Sequence, residues 1–234
     1  MWIKLYFALS SIFFFSVNSS RVLFEVSLDE AIRYASGDPI EKWLHDLLCL
    51  DCGNNLLSSP ITTIGDRYPP PDRCQLFYIN RDTLFAYHKS TEAFLHRLMG
   101  LYVASHYKNS PNDLQMLSDA PAHHIFALLT PYDPHSGRVP VILCVLQVCL
   151  EGKINQDIVM RGLSRGIRES GDLIPWTVSQ QFCEAKFGEL SGARIIRIAV
   201  HPDYQNLGYG SRALKLLRGY YAGKVVRYLF SRFL

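Results

Sequence analysis

Apolar residues recur at two periods along this chain, and the switches between them mark its elements. Between Val26 and Leu50, Ala31, Ile32, Ala35, Ile40, Trp43, Leu44, Leu47 and Leu48 return at helical intervals, interrupted at Gly37-Asp38-Pro39. That predicts two short helices, the second capped by Asp38 with Pro39 at its first position. Pro60, Gly65 and Pro69-Pro70-Pro71 make 58–73 a loop or linker. Leu76 to Ile79 reads as a short strand. From Asp82 to His106, Phe85, Phe94, Leu95, Leu98, Leu101 and Tyr102 keep helical spacing and predict one long helix. Ser110-Pro111-Asn112-Asp113 restarts a helix, with serine as cap, proline first and an acid in the first turn. Two strands follow, His124 to Leu129 and Val141 to Leu150, the second so continuously apolar that it belongs in the middle of a sheet. Between Glu151 and Ser191, Gly162, Gly166, Gly171 and Gly188 stand among polar residues, which predicts a long insertion with short helical pieces. Arg194 to Val200 is strand-like, with Ile196, Ile198 and Val200 on one face, and His201-Pro202-Asp203 stops it. Tyr209, Ala213, Leu216 and Tyr220, widened by Leu217, predict a last helix with Gly223 placed to end it.

Composition narrows this only a little. With 234 residues, 48% hydrophobic and 19% charged, the chain is globular and can bury one or two modest cores. A net charge of +3 is too small to hold RNA by bulk charge, so nucleic-acid binding would need a local patch. Six cysteines without regular spacing suggest a reduced intracellular protein. Cys49-Leu50-Asp51-Cys52 has the spacing of half a zinc site, with Cys74 and His45 nearby, but no second Cys-x-x-Cys or histidine pair completes it, and no metal is expected. In the first twenty residues Lys4 precedes an apolar run from Leu5 to Val17 that ends in Asn18-Ser19-Ser20. This reads either as a signal peptide or as a wrongly placed start. The run is shorter than the roughly 20 residues of a membrane span, and no membrane partner is expected.

Chemistry concentrates in Gln205-Asn206-Leu207-Gly208-Tyr209-Gly210, between the last strand and the last helix. The first N–H groups of a helix have no partner within it, and the helix dipole favours negative charge there, so the turn suits a pyrophosphate. Glycine lets phosphates approach the backbone. A P-loop would need Gly-Lys-Ser/Thr, and Gly210 is followed by Ser211-Arg212. A dinucleotide fingerprint would need an acidic residue about twenty positions on, and none follows.

The Gln-x-x-Gly-x-Gly form after Ala-Val-His-Pro-Asp-Tyr resembles motif A of the GNAT acetyltransferases. Three further blocks narrow the resemblance: Leu101 to Gln115, which reads LYVASHYKNSPNDLQ, then Leu117 to Pro121, LSDAP, and Ser170 to Trp176, SGDLIPW. Together they resemble the RNA cytidine acetyltransferases, over roughly Val22 to Lys224. That family joins a helicase-like ATPase to a GNAT domain and acetylates the exocyclic amine of cytidine in tRNA and small-subunit rRNA. The resemblance implies acetyl-CoA held by Ile198, Ala199 and Val200 and by Gln205, Asn206, Leu207, Gly208, Tyr209, Gly210 and Ser211. It implies that Arg33 reaches ATP, although no Gly-Lys-Ser/Thr stands anywhere in the chain. The implied fold is α/β, an incomplete GNAT fold with a mixed sheet, preceded by a mainly helical remnant of the ATPase module. The expected layout is 1–20 signal-like or a gene-model artefact, 21–57 ATPase remnant, 58–73 linker, 74–122 helical lead-in, 123–224 partial GNAT domain and 225–234 an unmatched hydrophobic tail. A fragmentary gene model fits both hydrophobic ends better than a true signal peptide does. The resemblance also implies rRNA and tRNA as partners, an RNA-binding adaptor and a nucleolar location, and it leaves a homo-oligomer open.

Cytidine's exocyclic amine is a poor nucleophile, so the reaction needs a base and donors for the charge that grows on the thioester oxygen. Backbone N–H groups near Ala199 and Val200 are the expected donors. His106, in the most distinctive block, is the expected base, while a place in the last turn of a helix explains it equally by the dipole. Tyr107, Lys108 and Asn109 fit either RNA phosphates or a solvated turn. Lys153, Arg161, Arg165 and Arg168 are a candidate RNA-tracking face, Trp176 a candidate stacking platform or core residue, and His123-His124 a strand start with one ring facing the core. The truncated chain is expected to be inactive or impaired. Two rivals stand beside this reading: a GNAT enzyme for a protein or small-molecule amine, and a non-catalytic binding remnant.

Overall fold

The structure, a computed structural model, describes residues 32–53, 69–105, 110–131 and 140–224. The chain divides into two compact units, Met1–Glu41 and Lys42–Leu234. Of the first unit, 32–41 are described: bends over 32–34, where a helix was predicted, and then the start of α1 (Pro39–Leu47). Asp38 Oδ1 accepts the N–H of Ile40 at 2.7 Å, so the predicted cap is present.

The second unit is built on an antiparallel sheet of β1 (Gln75–Ile79), β2 (His123–Leu129), β3 (Ile142–Gly152) and β4 (Ser191–Val200), in that spatial order. The expected mixed sheet is therefore corrected: all described pairs are antiparallel. A parallel neighbour requires a crossover, whereas each described connection returns the chain alongside the strand it left. The helical lead-in expected over 74–122 also contributes β1, which pairs with β2 from Gln75↔Leu129 to Ile79↔Ile125.

Helices cover both faces. On one lies α3 (Lys89–Ser105), with α4 (Pro111–Asp119) following it; Phe94, Leu95, Leu98 and Tyr102 of α3 share a core with Ile79, Ile125, Val145 and Ala199. On the other, α7 (Tyr209–Tyr221) sets Tyr209, Ala213 and Leu217 against Leu76, Phe126, Leu146 and Val148. Continuously apolar β3 is central and buried on both faces, as its sequence required.

The long helix expected from Asp82 to His106 is two. Asn80 caps α2 (Arg81–Leu84) by accepting the Thr83 N–H at 3.0 Å, and Tyr87, at φ +55°, breaks the path before α3. A left-handed tyrosine carries no periodicity signal. Between β3 and β4 the predicted insertion is a packed subdomain of α5 (Gln156–Arg165) and α6 (Leu173–Phe182), closed over Val159, Trp176 and Ala185. Of the expected 58–73 linker, Pro69 to Arg73 is docked on α7: Tyr209 Oη donates to the Pro69 carbonyl at 2.7 Å, and Arg212 Nη2 to the Asp72 carbonyl at 3.0 Å. No described helix is long and apolar enough to cross a membrane.

Candidate functional site

Two pieces of backbone make the site. The first is the outer edge of β4, the last strand of the sheet among the described residues. The His201 N–H donates to the Leu143 carbonyl at 3.0 Å, which fixes the alternation of the antiparallel ladder. Ala199, opposite Val145, then turns its peptide groups toward β3, whereas Ile198 and Val200, opposite Leu146 and Cys144, turn theirs outward. The donors expected near Ala199 and Val200 thus resolve to Val200 and Ile198. A bulge sharpens this. Gln147 pairs with Arg197 and Val148 with Ile195, so Ile196 is the extra residue and the strand bends just before its functional end. The even alternation read for Ile196, Ile198 and Val200 accordingly holds only beyond the bulge.

The second piece is the turn. Pro202–Tyr204 forms one turn of 3₁₀ helix, after which Asn206 and Gly208 take φ of +62° and +87°. Gln205, Asn206, Leu207 and Gly208 are exposed, and α7 begins at Tyr209. As N-cap, Gly208 has no side chain to offer the first N–H groups of α7. At Gly210 a Cβ would stand 3.3 Å from Val200 Cγ2, so the helix start lies against the end of β4. Ser211 is exposed on the first turn, and Arg212 adds positive charge beside it. The Arg212 Nη1 lies 3.8 Å from Asp72 Oδ1 while its Nε is buried without a partner. An exposed glycine turn, a helix start without a side-chain cap and an outward-facing strand edge fit the pyrophosphate and amide-bearing arm of acetyl-CoA.

Other expected residues fall into place differently. Arg33 is exposed in a bend of the first unit. His106, with Tyr107, Lys108 and Asn109, lies outside the described residues, directly after α3. Trp176 is 2% exposed in the subdomain core, so the structure rules out base stacking by that ring. Lys153, Arg161, Arg165 and Arg168 are all exposed. His123 Nδ1 meets Gln147 Nε2 at 3.1 Å, and His124 Nδ1 meets Tyr221 Oη at 3.1 Å. Burial, together with Arg81 and Arg194, holds His123 below the usual histidine pKa.

Some neighbours of the site had no sequence signal. Arg197 Nη2 donates to Asp113 Oδ1 at 2.7 Å, and its guanidinium sits 5.8 Å from the ring centre of Tyr102. Buried Tyr102 Oη lacks a partner, and burial raises its pKa despite the nearby Arg197. His201, 4% exposed at the end of β4, is also held below its usual pKa by burial, against a weaker pull from Asp203. Arg197 lies 84 residues from Asp113, and the packing of α3 and α4 on the sheet brings Tyr102 and Asp113 to it.

An antiparallel sheet whose last described strand runs through a glycine turn into a packed helix is the arrangement of a GNAT-type acetyltransferase domain. The chain belongs to the GNAT acetyltransferase 2 family, which residues 97–230 match. Residues 8–51 match a second family, described as RNA cytidine acetyltransferase NAT10/TcmA, helicase domain. The chain is 64% identical over 206 residues to the RNA cytidine acetyltransferase of Homo sapiens, covering 88% of this chain and 20% of that protein. The Saccharomyces cerevisiae protein of the same name is 59% identical over 209 residues, covering 88% and 19%. The one from Achlya ambisexualis is 57% identical over 213 residues, covering 90% and 56%. The chain therefore spans about a fifth of the human and yeast relatives.

Proposed function

We propose that this chain carries the acetyl-CoA site of an RNA cytidine acetyltransferase, transferring acetyl to the exocyclic amine of cytidine in rRNA and tRNA. The observation that carries the reading is the junction of β4, turn and α7, combined with relatives of that name matching across 88% of the chain. Bound acetyl-CoA supplies an acyl thioester. The N–H groups at the start of α7, over Gly210 and Ser211, hold the pyrophosphate, and exposed Gln205 to Gly208 let it approach the backbone. Outward peptide groups of Ile198 and Val200 bind the extended arm as an added strand would, and the Val200 N–H polarises the thioester carbonyl. His106, directly after α3, takes the proton from the amine. Exposed Arg161 and Arg165 on α5, with Lys153 and Arg168, give the RNA backbone a local basic track that a net charge of +3 does not supply.

The ATPase module of the family, with Arg33 at its nucleotide, belongs to the longer relatives' action. Ribosome and tRNA maturation, a nucleolar location and an RNA-binding adaptor extend the same reading. Because the human and yeast relatives hold this stretch within a much longer protein, transfer by this chain alone is expected to be weak, while cofactor binding is retained. The test is mass spectrometry of RNA transcripts incubated with excess chain and acetyl-CoA. The reading expects N-acetylcytidine that His106→Ala removes while acetyl-CoA binding and thermal midpoint stay unchanged. Acetylated peptides or polyamines without RNA would replace the substrate, and cofactor binding with no transfer to any amine would leave a binding module.

A further inference from the structure

The turn that closes α1 carries a cluster with no part in the cofactor site. Cys49 and Cys52 are 3% and 2% exposed, in the core cluster that holds Phe94, Leu95 and Leu98 of α3. Half-buried His96 reaches them from α3, and the two sulfurs and an imidazole nitrogen all lie within 4.8 Å of one another. We propose that Cys49, Cys52 and His96 bind a zinc ion that fastens the α1 turn to α3.

Zinc is chosen by the donor set, since two thiolates and an imidazole suit it and exclude magnesium or calcium. Zinc–sulfur and zinc–nitrogen bonds of about 2.3 and 2.0 Å put donors around a tetrahedral ion roughly 3.3–3.8 Å apart. At no more than 4.8 Å apart, the three observed donors lie within about 1.5 Å of that spacing. Three protein donors leave a fourth position for water or a carboxylate. Glu92, one turn before His96 on α3, and Asp46 of α1 place negative charge beside Cys49, which favours a cation.

The backbone supports the placement. The Leu50 N–H donates to the His45 carbonyl at 3.0 Å and the Cys49 N–H to the Asp46 carbonyl at 3.3 Å, with Cys49 left-handed at φ +52°. That helix ending usually has glycine where Cys49 stands. The strain alone is no evidence of a ligand, because Cys183 ends α6 in the same way with its side chain exposed. What sets Cys49 apart is a buried second thiol and an imidazole within reach. The turn also lies on α3 at a second point, where a Cβ on Gly53 would stand 3.1 Å from Val103 Cγ1. The partners suggested by sequence proximity are engaged elsewhere: His45 Nδ1 bonds Asp51 Oδ2 at 2.8 Å, and Cys74 lies in the core on the far face of the sheet. Proximity in space supplies His96, which no spacing in the sequence could reveal.

The test is titration of the reduced full chain with cobalt(II), read by visible absorption. One cobalt per chain is expected, with thiolate charge-transfer and tetrahedral d–d bands that zinc abolishes. Cys52→Ser, which leaves one thiolate, should cut the charge-transfer intensity by about half or more, and Cys49→Ser with Cys52→Ser should remove it. His96→Gln, which leaves the apolar cluster intact, should weaken cobalt at least about tenfold with unchanged far-ultraviolet circular dichroism. Absence of thiolate bands, or equal affinity in wild type and His96→Gln, would overturn the site. So would a Cys49–Cys52 disulfide in the freshly purified chain with no metal taken up after reduction, which would assign the pair to thiol redox chemistry.

Discussion

His201 shows how much a single residue does at this site. It closes the β4 ladder through its backbone N–H, accepts the Asp203 N–H on Nδ1 at 3.3 Å and packs its ring 4.9 Å from that of Tyr204. That acceptor role requires an unprotonated Nδ1, and burial keeps the ring neutral by lowering its pKa. The folded-state value lies below the unfolded value of about 6.5, so its contribution to stability is complete above that pH. It is lost as the pH falls through the folded-state pKa. The thermal midpoint should therefore drop on acidification from neutral pH, and His201→Asn, whose amide oxygen can still accept the Asp203 N–H, should flatten that slope. His123 is shifted in the same direction and accounts for a remainder. An unchanged slope in the variant would remove His201 as a source.

Among the elements, the insertion between β3 and β4 depends on Glu151. Its carboxylate accepts from Arg194 Nε at 2.5 Å and from the Ile174 N–H at 3.0 Å, tying the end of β3 to the start of β4 and of α6. Burial raises its pKa, but the hydrogen bonds from Arg194 and Ile174 outweigh that and hold it below the usual carboxylate range. Asp172 adds a parallel tie by accepting the Gly152 N–H at 2.7 Å. Glu151→Ala leaves Arg194 and an α6 N–H without their partner, and should cost about 3 kcal/mol in denaturant unfolding. A loss under about 1 kcal/mol would mean that the network is solvated. None of this was legible in sequence, since Glu151 bonds residues 23 and 43 positions away and a buried acid looks like any polar loop residue. The apolar pattern did show β3, which feeds both cores, and α7, whose stripe faces one, while the capping residues Ser110 to Asp113 showed α4. It missed the break at Tyr87 and the bulge at Ile196, where backbone conformation departs without any change in the apolar pattern.

Over the whole molecule, the candidate site is set by β4 lying last in the sheet among the described residues. Central β3 fixes the β4 register, the register turns Ile198 and Val200 outward, and the last residues of β4 deliver the turn to the start of α7. The docked Pro69 to Arg73 segment holds that helix through Tyr209 and Arg212. The glycine turn was readable because its chemistry is local, and the clamp was not, because its partners are 140 residues apart. On the proposed function, the junction of β4, turn and α7 binds acetyl-CoA within this chain alone. Isothermal calorimetry of acetyl-CoA against the full chain tests it most directly, with Gly210→Glu and the exposed Ser211→Asp as variants that place negative charge at the pyrophosphate. Saturable binding of one acetyl-CoA per chain is expected, abolished in Gly210→Glu and weakened at least about tenfold in Ser211→Asp, with the Ser211→Asp thermal midpoint unchanged. No binding by the wild-type chain, or equal binding by all three, would contradict it.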